Sequence, residues 1–88
     1  MQAHGNPEEL ANFANVLEQY LSTIEQETGR LTSCFNQLGE TWNDQKRAAF
    51  EETYHSLLNA LATFKDNASQ QIPYLRIMAD DLQRYLSR

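Results

Sequence analysis

Chemistry needs nucleophiles, bases or ligands at spacings that let them converge. The chain offers few: one cysteine, Cys34, and two histidines, His4 and His55. A catalytic thiol requires a neighbouring base and an electropositive setting. Cys34 instead stands on an apolar stripe beside Phe35, so the expectation is a buried, inert thiol. A metal site requires several ligands at set spacings. His55 has Glu51, Glu52 and Asn59 around it but no second His or Cys nearby, and reads as a solvated surface side chain. His4 falls in a polar N-terminal arm. Paired carboxylates do acid–base work when a cleft shifts their pKa. Glu8–Glu9, Glu51–Glu52 and Asp80–Asp81 fall in a first helical turn or on outer helix faces, where solvation and the helix dipole explain them. No Gly-rich phosphate loop and no Ser-His-Asp or Cys-His grouping occurs. The expectation is a protein that is not an enzyme and holds no cofactor or metal.

Composition narrows the class further. At 88 residues, the chain makes one domain at most. Its net charge is -5, from 12 acidic and 7 basic residues, and no basic patch suits phosphates, which argues against nucleic acid. A lone thiol forms no intramolecular disulfide and fits a reducing compartment. There is no apolar run of about 18 residues, so no membrane span is expected. The start, Met1-Gln-Ala-His-Gly-Asn-Pro, lacks the charged and apolar regions of a cleavable signal peptide. The expected location is the cytoplasm, with export only by a route that uses no such peptide.

The elements that position these residues are helices. Residues 1–6 read as a flexible arm. Asn6-Pro7-Glu8-Glu9 reads as a helix start, with Asn6 as N-cap, Pro7 at the first position and acids in the first turn. A heptad follows: Leu10, Leu17, Ile24, Leu31 and Leu38 at one position; Phe13, Tyr20, Glu27 and Cys34 at a second; Ala14, Leu21, Thr28 and Phe35 at a third. That stripe is wider than a two-stranded seam and suits a helix within a bundle. Gly29, Glu27 and Thr28 weaken it locally; Glu27 could pair with a Lys65 or Arg on a partner, or reach past the bundle edge. Helix stop and start signals then crowd into Gly39-Glu40-Thr41-Trp42-Asn43-Asp44: Gly39 as the C′ residue, and Thr41, Asn43 or Asp44 as N-cap. Trp42 reads as a hydrophobic lid over the next helix start. A second stripe runs Phe50, Tyr54, Leu57, Leu61, Phe64, Ala68, Gln71, Leu75, Met78, Leu82, Tyr85, widened by Leu58, Ile72, Ala79 and Leu86. Pro73 interrupts it and predicts a kink just before it or a short break that opens a third segment, and the unbroken phase from Ala68 through Leu75 favours the kink.

The spacing therefore predicts an all-α hairpin in a single domain over 1–88: helix 1 over 7–38, a tight turn over 39–43, helix 2 over 44–86. At 1.5 Å per residue the helices are about 50 and 65 Å long. Folding at Thr41 sets Leu31 near Phe50, Ile24 near Leu57, Leu17 near Phe64 and Leu10 near Ile72. Beyond Pro73 the second helix should have nothing opposite it, leaving Leu75, Ile77, Met78, Leu82, Tyr85 and Leu86 as an apolar tail for docking a partner. Two helices cannot cover two wide stripes. Exposed apolar surface of that extent marks an association site. Leu17, Leu21, Ile24, Phe35, Leu57, Leu58, Leu61 and Phe64 are the expected interface with a second hairpin, identical or homologous, in a four-helix bundle.

At the bend the chain resembles the WXG-type proteins, small substrates and partners of type VII (ESX) secretion. The features that carry the resemblance are the length, Trp42 between two long helices, Phe50 eight positions later, and Ala48 and Ala49 just before that aromatic. The turn motif is Gly39, Trp42, Asp44 and Phe50. It departs at two points. Asp44 stands where the family has Gly two places after the Trp, and Asp can cap a helix there. The Tyr followed four residues on by an acid, found near the end of helix 2 in many exported members, is not matched: Met78 follows Tyr74 at that distance, and no acid follows Tyr85. The resemblance implies a homodimer or heterodimer with a similar hairpin, and a secretion ATPase or a larger effector as a further partner. A cytoplasmic bundle-forming adaptor with no secretion role is the alternative.

Overall fold

The computed structural model describes residues 5–87; the rest of the N-terminal arm, His4 included, lies outside the described residues. Two helices form, α1 (Pro7–Leu38) and α2 (Gln45–Leu86), antiparallel in a rod 66 Å long and 18 × 17 Å across. Asn6 is extended, and its Oδ1 accepts from the N–H groups of Glu8 at 2.8 Å and Glu9 at 3.3 Å. Pro7 and the two acids complete a start in which each residue answers an orphan donor or the positive end of the dipole.

The turn holds the first correction. Gly39, expected as the C′ residue, caps α1 with φ -63° and ψ -17°, right-handed values rather than the left-handed ones common at C′. Right-handed winding continues past Leu38 through a mixture of three-residue and four-residue backbone bonds. Thr41 N–H donates to the Leu38 carbonyl at 3.1 Å, and Trp42 N–H to the same oxygen at 2.8 Å. Of the three possible caps, Asp44 takes the role: it is extended, and its side chain accepts from Arg47 N–H at 3.1 Å. Asp in the family's Gly position is thus a working N-cap.

α2 runs unbroken through Pro73, so no third segment opens. The ring still removes one backbone donor and crowds the preceding turn. Its side lies on the exposed surface, where no packing depends on it. Pro73→Ala is therefore expected to stabilise the hairpin by up to about 3 kcal/mol, read as a rise in the thermal midpoint by far-UV circular dichroism.

The interhelical seam is narrow. Ala14, Leu21 and Ile72 form its buried centre, with Leu17, Ala68 and Leu75 packed against them; Phe35, Tyr54 and Ala79 are the remaining buried apolar residues. In α1 the buried line is the third heptad position, and in α2 it alternates through Tyr54, Leu58, Leu61, Lys65, Ala68, Ile72, Leu75 and Ala79.

The pairing is shifted from the expected one. Leu31 does share a groove with Phe50 near the turn, but away from it Phe64 meets Tyr20, Arg76 reaches Asn15 and Glu18, and Leu10 lies with Met78 and Leu82. Helical side chains lean toward their own N-termini. In an antiparallel pair that moves both contacting residues to higher numbers, which accounts for part of the shift. The consequence is a second correction. The stretch after Pro73 does have α1 opposite it: Leu75 belongs to the seam and Ala79 is buried.

Candidate partner-binding face

One flank of the hairpin is apolar from end to end. On α2, Phe50, Leu57, Phe64, Met78 and Tyr85 recur at seven-residue steps, with Gln71 in the gap, and are 43–59% exposed. On α1, Phe13 and Tyr20 share one heptad position with Glu27 and Cys34, and Leu31 and Leu38 flank them, all exposed. The two rows meet on the same side of the rod. The rings of Tyr20 and Phe64 touch edge-on at 6.5 Å and 87°. Near the turn, Leu31, Cys34, Leu38, Phe50 and Leu57 surround an almost wholly apolar groove of about 260 Å³ floored by Phe35 and Tyr54.

An aromatic cluster sets that end. Phe35 packs at 4.9 Å from Tyr54 and 5.9 Å from Phe50, measured between ring centroids. Trp42 closes over Phe50 at 6.1 Å. The Tyr54 hydroxyl shares a 2.7 Å hydrogen bond with the Thr32 hydroxyl across the seam, so its polar end is satisfied inside the contact. Trp42 thus packs on the second turn of α2.

Arg47, which the sequence reading passed over, ties this end together. Its guanidinium lies 4.6 Å from the Phe35 ring centroid, and Nη2–H donates to the Phe35 carbonyl at 3.5 Å. The last turn of α1 has no basic residue; Arg47 brings a cation to that negative helix end from the other helix. Gly39 now acquires a reason unrelated to φ. A Cβ there would stand 2.6 Å from the Arg47 guanidinium. The signal available in the sequence was a basic residue three positions after the only Asp in the turn, opposite a helix end lacking one. Gly39→Ala is expected to cost about 1 kcal/mol in the native background, by displacing Arg47. With Arg47→Ala in place it should become neutral or stabilising, because Ala suits a helical φ and ψ better than Gly. Urea unfolding of the four proteins in that cycle measures it.

The opposite flank is polar. Arg76 pairs with Glu18 at 3.1 Å, and Lys65 pairs with Glu25. These are exposed pairs, each worth no more than about 1 kcal/mol. They mark a solvated side.

The expected interface residues divide between two roles. Leu21 and Phe35 are buried in the chain's own seam, and Leu17, Ile24, Leu58 and Leu61 are half-buried in it; Leu57 and Phe64 are exposed on the apolar flank. Of the expected docking tail, Leu75 lies in the seam and Leu82 is half-buried, while Met78 and Tyr85 are exposed. Cys34 is exposed rather than buried: its heptad position lies beyond the seam on a helix with only one neighbour. Glu27 pairs with Arg30 of its own helix at 3.0 Å, not with Lys65, and that contact raises the Arg30 guanidinium above its ordinary pKa, chiefly through the hydrogen bond. His55 is solvated, its Nε2 3.8 Å from Glu51. Among the described residues no three His, Cys, Asp or Glu side chains group as metal ligands, and no helix is long and apolar enough to cross a membrane.

Residues 2–85 match the family model described as proteins of 100 residues with WXG. No curated protein and no solved structure matches the chain. With nearly its whole length covered by that match, and with Trp42 at the bend between two long antiparallel helices, the chain belongs to the WXG100 family of small helical proteins associated with type VII secretion.

Proposed function

We propose that the protein works by association: it lays its apolar flank against the matching flank of a second, similar hairpin and completes a four-helix bundle, as a type VII secretion substrate or the companion of one. The observation that carries this reading is the row Phe50, Leu57, Phe64, Met78 and Tyr85 left in water beside Phe13 and Tyr20. Among the described residues the chain's own seam buries six, two of them alanine. A surface that apolar, beside a seam that thin, is the half-covered core of a larger bundle. Ile77 and Leu86, exposed outside that row at the end away from the turn, are the part of the expected tail left to dock a secretion ATPase or a larger effector.

Light scattering on the purified protein tests the association. A dimer, or a complex with a homologous hairpin, is the expected result; a stable, fully folded monomer at micromolar concentration overturns the reading. The cytoplasmic adaptor remains the second reading, favoured by the absence of an acid four residues after Tyr74. Comparing protein in cells and culture medium, with and without the type VII ATPase, separates the two. ATPase-dependent appearance in the medium supports the secretion role, and retention in both strains supports the adaptor.

A further inference from the structure

Arg47 carries a cost that the stability of the hairpin does not explain. Its Nε–H is buried, and among the described residues no acceptor meets it. A buried donor left unpaired is unfavourable, so each one calls for a reason. A second cost lies beside it. Gly39 has helical φ and ψ, where Ala is preferred. Yet a Cβ there would stand 2.6 Å from the guanidinium carbon and from Nη1 of Arg47. Both features leave room for one planar group in one place.

That place is against the Phe35 ring. Arg47 and Tyr54 are two turns apart on α2, about 10.5 Å along its axis. The Phe35 centroid is 4.6 Å from the guanidinium carbon and 4.9 Å from the Tyr54 centroid. The two distances nearly fill that spacing, so the ring is clamped between Arg47 and Tyr54. Each jaw is itself held. Tyr54 shares a 2.7 Å hydrogen bond with Thr32. Arg47 Nη2–H donates to the Phe35 carbonyl at 3.5 Å, at the negative end of α1. Phe35 and Tyr54 are in turn the floor of the turn-end groove, which Phe50 and Leu57 wall on the α2 side.

Resting on the reading that a partner covers this flank, we infer that Arg47 is a positioning residue for association. It acts through Phe35: the guanidinium and Tyr54 hold the ring still, so the groove is already shaped when an apolar side chain of the partner enters it. A floor ordered beforehand binds more tightly, because less side-chain freedom is lost at the moment of contact. The unpaired Nε–H and the glycine at position 39 are then the local cost of that preparation. A site on rigid elements, backed by a second layer of locked side chains, has this construction.

The test separates association from folding. Arg47→Ala, Arg47→Lys and Gly39→Ala are compared with the native chain by light scattering, at a temperature where far-UV circular dichroism shows each protein fully helical. Arg47→Lys keeps a cation at the end of α1 but not the flat fork that lies on the ring. Gly39→Ala keeps the arginine and pushes it off the ring. All three should self-associate about ten-fold more weakly than the native chain. In a Phe35→Leu background, Arg47→Ala should weaken association no further, since the ring it acts through is gone. Were Arg47 only structural, its loss would lower the thermal midpoint and leave association of the folded protein unmoved. That result overturns the inference and leaves the hairpin partner standing. So does an Arg47→Lys chain that associates as the native one does, or an equal loss with and without Phe35. A native chain that shows no association overturns both.

Discussion

Leu21→Asp is expected to unfold the hairpin. Leu21 is 5% exposed at the centre of the seam, packed with Ala14 and Ile72. Removing its side chain forfeits roughly 2–5 kcal/mol of burial and packing. The carboxylate then sits in an apolar contact with no partner, which adds a penalty of a few kcal/mol or drives local opening. The seam has little in reserve to absorb this, since among the described residues six apolar side chains are buried and the rest of the seam is only half-buried. Far-UV circular dichroism at 25 °C should show most of the helical signal lost, with no cooperative thermal transition. A variant that stays helical and melts cooperatively would mean that the Ala14–Leu21–Ile72 cluster is not what holds α1 to α2.

The second large effect falls on association alone. Leu57 is 45% exposed, on the apolar flank beside Phe50 and the turn-end groove. Leu57→Asp leaves the chain's own seam intact and should cost the folded hairpin about 1 kcal/mol or less. In a completed bundle the same carboxylate would be buried in each copy. Desolvation of two unpaired charges should weaken the dimer by more than 100-fold, or at least about 2.7 kcal/mol. Light scattering should then find a monomer that keeps its helical signal. Glu52→Ala, on the exposed outer surface of α2, should change neither mass nor signal. A Leu57→Asp protein that still dimerises would place the interface elsewhere.

The contrast between Leu21 and Leu57 shows where the sequence was legible. Periodicity and the N-cap signals gave two long helices and the bend, because each depends on neighbours within a turn or two. The heptads also marked which residues are apolar. Dividing them between seam and flank depends on how the helices are rotated and how far they slide. Leu17 and Leu57 look alike in a heptad, yet one packs within the chain and the other faces water. The same ambiguity misplaced Cys34, which sits in an apolar row but on its outer edge, and Glu27, whose partner Arg30 was one turn away. The tail after Pro73 was read as unopposed because fold-back was counted from Thr41 without the lean of side chains toward their N-termini. Arg47 was missed for another reason. Its role depends on reaching across the bend to a carbonyl twelve residues back, beyond any local rule.

The unequal make-up of the two ends bears on how the chain assembles itself. Phe35, Phe50 and Tyr54 close a loop of roughly fifteen residues, a small entropic toll. Ala14 and Ile72 join points some fifty-eight residues apart, and beyond them the open end has Ala79 as its buried residue, with a single methyl group to hold it. The arms should therefore zip outward from the aromatic hinge, and part first at the open end.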